Sequence, residues 1–230
     1  MRRLEALGAM LASVLLLADP ATAQPALWRP WRPVVSLGGG WTGAEALGTV
    51  RAETRAAGLG TLTPSVFPLF TAESTLEGAP RAELTVAVPV TRTLLVEVLG
   101  TVARPTLSTA ISRDAEGAPA TTVTEDVDDY TVGGRVLYEV PRLSIGKRAR
   151  PYLLAGGAYL RQLHEDQVLV ETGQAWTAGA GLRLWIAGAR QGRSLGVTTE
   201  FAWQWRTGGI AFTDGARGVP SFALRLFAGL

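Results

Sequence analysis

The chain carries one histidine, His164, which opens the acidic stretch "HEDQ" with Glu165 and Asp166. A second acidic run, "EDVDD", spans Glu125 to Asp129. An imidazole titrates near neutral pH, so His164 beside Asp128 and Asp129 could orient and deprotonate a water. The same carboxylates could gather a hard divalent cation through their oxygens. Neither pattern brings the rest of its machinery. No serine stands recognisably beside His164, and no glycine-turned loop spaces the carboxylates as ligands. With no cysteine in the chain, thiolate nucleophiles, thiolate zinc sites and disulfides are excluded together. "LGGG" (Leu37–Gly40) lacks the lysine and following helix of a phosphate loop. Glu200, taken alone, is a candidate catalytic acid. No catalytic, cofactor-binding or metal-ligating residue is assigned, and no cofactor is expected.

The elements that carry these residues alternate. "SLGVTTEFAWQWR" (Ser194–Arg206) puts Leu195, Val197, Phe201, Trp203 and Trp205 on one side and Thr198, Glu200, Gln204 and Arg206 on the other. That period of two marks a β-strand with unlike faces. Seven more segments read the same way: 33–43, 81–90, 94–104, 130–140, 151–162, 175–186 and 221–230. Segment 151–162 alternates least cleanly, with Tyr152, Leu154, Ala158 and Leu160 assigned to its apolar side. The connections run long, short, long, short, as in an up-and-down barrel elaborated at one end. The first long connection holds the apolar piece "PSVFPLF" (Pro64–Phe70). It is expected to extend the next strand or fold over the mouth. A further hairpin around 49–55 and 66–72 would raise the count to ten strands.

Composition narrows the class. Charged residues are 18% of the 230, net charge is +2, and Lys147 is the only lysine. No global basic field favours nucleic acid as a partner. "MRR" followed by the apolar run Leu7–Ala18 and "ATA" (Ala21–Ala23) reads as a cleaved secretory signal peptide over residues 1–23. Twelve apolar residues would make about 18 Å of helix, short of a bilayer core of about 30 Å. Residues 24–32 form a proline-rich lead-in, and 33–230 the barrel.

Charge placement decides which face looks outward. Glu83, Glu97, Glu139 and Glu200 share the polar faces with Arg135, Arg183 and Arg225. Those faces are otherwise thin, made of Gly, Ala and Thr. A water-facing surface would be richer in polar side chains, whereas a lumen needs small residues and paired charges. Trp41, Tyr138, Tyr152, Trp176, Trp203, Trp205 and Phe222 lie on the apolar faces, many toward strand ends, as membrane-interface aromatics do. The expected fold is all-β: a closed antiparallel transmembrane barrel of eight strands, its lumen braced by a Glu–Arg network.

"RPYLLAGGAYLR" (Arg150–Arg161), "GAGLRLWI" (Gly179–Ile186), Ser194–Arg206 and a strand running to Leu230 together resemble the eight-stranded bacterial outer-membrane β-barrel proteins, the OmpA-type transmembrane barrel. The resemblance spans residues 24–230. It implies export to the bacterial outer membrane, insertion by the barrel assembly machinery, periplasmic termini and long external loops. Family members usually end in an aromatic residue, where this chain has Leu230. The partners implied are outer-membrane lipid and lipopolysaccharide, around a monomer. The expected role is structural or surface interaction without catalysis. The alternatives are a narrow porin-like channel and a surface enzyme acting on lipid A or peptides.

Overall fold

The structure, a computed structural model, describes residues 32–56, 65–145, 148–165, 168–188, 194–212 and 215–230. The expected signal peptide and nearly all of the lead-in lie outside the described residues, as do Lys147, Asp166, Arg190 and Arg193. Eleven strands follow in order: β1 Val34–Thr42, β2 Glu45–Ala56, β3 Ser65–Leu76, β4 Ala79–Pro89, β5 Leu94–Ala103, β6 Thr106–Ser112, β7 Thr121–Glu139, β8 Ala149–His164, β9 Val170–Gly188, β10 Ser194–Gly208 and β11 Arg217–Gly229.

Eight of them close on themselves. The order β1-β4-β5-β7-β8-β9-β10-β11 returns to β1, antiparallel at every step, with Val34 opposite Gly229 at the seam. Closure leaves no strand edge in this ring, so each ladder finds its backbone partners within the chain. Short turns join the strands at one end. At β4–β5 the Thr91 hydroxyl accepts the amides of Thr93 and Leu94, which holds that turn tight.

At the opposite end three barrel strands continue beyond the ring as β2, β3 and β6. Above the β1–β4–β5–β7 half of the ring, β2 pairs β3, β3 pairs β6, and β6 pairs the first part of β7. The breaks fall at Gly43, Gly78 and Pro105. Pro105 has no amide to donate, yet its carbonyl accepts from Val127 at 2.9 Å, so the ladder resumes at once. The hairpin in the first long connection therefore exists as β2 and β3 but adds nothing to the ring, which stays at eight. "PSVFPLF" runs into β3 and so continues β4 outward.

Outward positions around the ring are apolar and exposed: Leu37, Leu84, Val98, Val132, Phe201 and Leu226 lie between 52% and 65% accessible. Inward positions alternate with them and are buried. One strand departs from its sequence reading. β8 turns Tyr152, Leu154 and Leu160 into the lumen and Leu153 and Tyr159 outward, the reverse of the faces assigned above. The cause is pairing: Tyr152 stands opposite Glu139 in the β7–β8 register, so the two share the inner face. Tyr152 is thus a lumen residue, not a membrane-interface aromatic. Trp41, Trp176, Trp203, Trp205 and Phe222 lie on the outer face and are exposed, with Tyr138 half-buried there.

Candidate functional site

The lumen is where the polar chemistry collects. Glu97 on β5 and Arg135 on β7 are register partners, so their side chains leave the wall side by side. Arg135 then spans the interior. Its Nε donates to Glu97 Oε1, its Nη1 to Glu200 Oε1 at 2.7 Å, and its Nη2 to Glu83 Oε1 at 3.1 Å. Arg225, on β11, closes the ring from the other side. It donates to Glu83 Oε1 at 2.6 Å and to Glu200 Oε2, and lies 3.4 Å from Glu97 Oε1. The Tyr152 hydroxyl donates to Glu200 Oε2 at 3.2 Å, and Arg81 reaches Glu83 Oε2 at 3.1 Å.

Three carboxylates thus meet three guanidinium groups, all buried. Removing ions from water is costly, and only close pairing with further hydrogen bonds offsets it. Forked arginines suit the task because each presents several donors in one plane.

Small residues make the room. A Cβ on Gly38 would fall 2.6 Å from Arg225 Cα, and one on Gly181 only 2.4 Å from the Tyr152 hydroxyl oxygen. These glycines explain "LGGG" and "GAGLRL" as wall sequences that admit large side chains from the neighbouring strands. Exchange of Gly181 for Leu is expected to cost about 1–3 kcal/mol through overpacking. Urea unfolding in vesicles, followed by tryptophan fluorescence, measures it; an unchanged midpoint would mean that Tyr152 has free space to move.

Two further charge groups flank the central one. Toward the short turns, Arg183 and Arg150 bind the two oxygens of Glu139 at 3.1 and 3.2 Å. The Arg183 guanidinium also sits over the rings of Tyr152 and Phe227, at 5.8 and 5.5 Å. Toward the long loops, Arg206 joins Asp129 at 2.9 Å and Glu45 at 3.3 Å, and Arg217 holds the other Glu45 oxygen. Gln162 donates to Asp129 and accepts the Ile210 amide.

Hydrocarbon adjoins this stack near both ends. Ala87, Leu95, Leu137, Tyr152 and Leu154 form a buried cluster reaching to the short-turn side, beside an edge-to-face Trp185–Phe227 pair. Leu47, Leu76, Leu107, Val127 and Ile210 form another, between the protruding sheet and the β10–β11 connection. A cavity of about 20 Å³ lies between the central and upper charge groups, lined by Thr101, Thr131, Arg135, Glu200 and Arg206 among others. It holds about one water.

The sequence singled out Glu83, Glu97, Arg135, Glu139, Arg183, Glu200 and Arg225. The first three meet Glu200 and Arg225 in the central group; Glu139 and Arg183 pair separately. Sequence reading left out Arg81, Glu45, Asp129, Gln162, Arg206 and Arg217 from the network, and Tyr152 with them. Arg81 and Arg206 share parity with Glu83 and Glu200, which already places both on the polar faces near strand ends, though outside the expected network. Nothing local marks Glu45, which arrives from β2.

The acidic runs disperse. Asp129 points into the lumen, Asp126 bonds Arg104 and Thr106, and Glu125 takes His164 Nδ1 at 2.9 Å. His164 therefore pairs with Glu125 rather than with Asp128 or Asp129. Among the described residues no group of three His, Asp or Glu side chains converges as a metal site.

No protein-family profile matches the sequence, and no curated protein matches it. Solved structures similar to the chain include the N-terminal β-barrel domain of Pseudomonas aeruginosa OprF, at 10% identity and a TM-score of 0.38, over 86% of this chain and 99% of that one. Ail, the attachment invasion locus protein of Yersinia pestis, in complex with the heparin analogue sucrose octasulfate, matches at 10% identity and a TM-score of 0.39 over the same shares.

Proposed function

We propose that the chain is an integral protein of the bacterial outer membrane, a monomeric barrel with a structural or surface-interaction role and no catalysis. One observation carries this reading: the barrel is inside out, with charge buried in its lumen and a continuous apolar surface outside. Soluble monomers rarely expose apolar patches beyond a few hundred Å². In hydrocarbon such a surface is stable, and a closed ring satisfies every ladder without water. The N-terminal sequence supports export. Outer-membrane lipid surrounds the belt, and lipopolysaccharide meets the long-loop side.

The detergent-refolded chain should run on unheated gels as a compact band that shifts on boiling. A chain that reaches its folded state without detergent or lipid would overturn the membrane reading. The packed charge groups and their apolar neighbours speak against the channel alternative. In planar bilayers the protein should give no stable single-channel conductance; steady openings would reinstate the channel.

A further inference from the structure

Charge is divided unevenly between the ends of the barrel. At the short-turn end Arg32, Arg92, Arg142 and Arg148 are exposed, and among the described residues no carboxylate pairs with them. The sequence between the strands at that end, 90–93, 140–148 and 189–193, contains no Asp or Glu. The acids nearest that end, Glu97 and Glu139, both face the lumen. The long-loop end is mixed, with Glu53, Glu73, Asp114, Glu116 and Asp126 set among arginines.

The basic rim also has an apolar component. After β7 a single 3-10 turn, Pro141–Leu143, leads to Ile145, and Leu143 and Ile145 are 64% and 72% exposed beside Arg142 and Arg148. This turn is held in shape. Ile145 and Ala149 exchange both backbone hydrogen bonds, at 3.1 and 3.3 Å, and the Ser144 amide donates to Pro141 O. Guanidinium groups flanking fixed, exposed hydrocarbon at the margin of an apolar belt match the boundary between phosphates and acyl chains.

We propose that this rim is a docking surface for the anionic headgroups of phospholipids in the leaflet on the short-turn side. Arg92, Arg142 and Arg148 engage the phosphates while Leu143 and Ile145 enter the acyl boundary. The inference rests on the membrane reading above and deepens it by naming a lipid class. An acidic soluble partner would need the arginines but not the exposed Leu143 and Ile145 beside them.

The test uses the full chain refolded in phosphatidylcholine vesicles doped with spin-labelled phosphatidylglycerol or spin-labelled phosphatidylcholine. Electron paramagnetic resonance then reads the motionally restricted lipid. Phosphatidylglycerol should be favoured by about fivefold at low salt, the worth of one arginine near a headgroup. The triple exchange Arg92→Gln, Arg142→Gln, Arg148→Gln should bring the ratio close to one. The matching exchange at the other end, Arg51→Gln, Arg104→Gln, Arg113→Gln, should leave it unchanged. A ratio near one for the unaltered chain overturns the proposal, and so does an equal loss in the long-loop variant. Binding of soluble polyglutamate without any lipid preference overturns it in favour of an acidic macromolecular partner. Absence of restricted lipid of either kind is a different result: it removes the membrane reading itself.

Discussion

Exchange of Arg135 for Met should destabilise the barrel by about 3–5 kcal/mol, the range for removing one partner of a buried ionic group. Arg135, like Arg225 from the other side, touches Glu83, Glu97 and Glu200 together. Without it three buried carboxylates share Arg225 and Arg81, and one negative charge is left uncompensated. The loss should be read from urea unfolding of the vesicle-reconstituted protein. The second exchange Glu97→Gln in the same chain should return part of it, because the charges again balance. Additive losses in the double variant would show that Arg135 acts through its packing, not its charge. A single variant within about 0.5 kcal/mol of the parent, the usual range for surface changes, would mean that water enters the lumen freely.

The second large effect belongs to the outer wall. Val98 is 58% exposed on β5, one residue from Glu97 and midway along its strand. Exchange of Val98 for Arg should cost about 2–4 kcal/mol in a bilayer, the penalty for a cation on the lipid face near the midplane. On a water-facing wall the same change would cost nothing measurable. Unfolding in vesicles against unfolding of Arg104→Gln, an exchange at the loop end, separates the cases. Equal midpoints for the two variants would falsify the lipid-facing assignment of this wall.

The ring was legible because period two is a strong signal when the two faces differ. In 194–206 and 221–230 every second residue but Thr199 is apolar, and the others, Phe227 apart, are small, polar or charged. β8 was misread for the opposite reason: in "YLLAGGAYL" both parities are apolar, so only the pairing of Tyr152 with Glu139 decides the face. The hairpin at 49–55 and 66–72 was legible as an alternative, while β6 was hidden behind Pro105; Gly43, Gly78 and Pro105 look like breaks in a sequence and act as bends within continuing ladders. Pairing across the lumen was the least legible layer. Glu200 could have met Arg183 or Arg225 by adjacency. The stagger of the strands gives it Arg225 and Arg135, and leaves Arg183 to Glu139.

The lumen's charge pairing has an electrical consequence. In the central group and in the one toward the long loops, guanidinium groups and carboxylates are equal in number and stand side by side. A field across a membrane does about 2.3 kcal/mol of work per 100 mV on each elementary charge moved through it. Adjacent opposite charges shifting together gain nothing from that field. These two groups are therefore deaf to voltage: neither offers a net charge that a potential could drive from one arrangement to another.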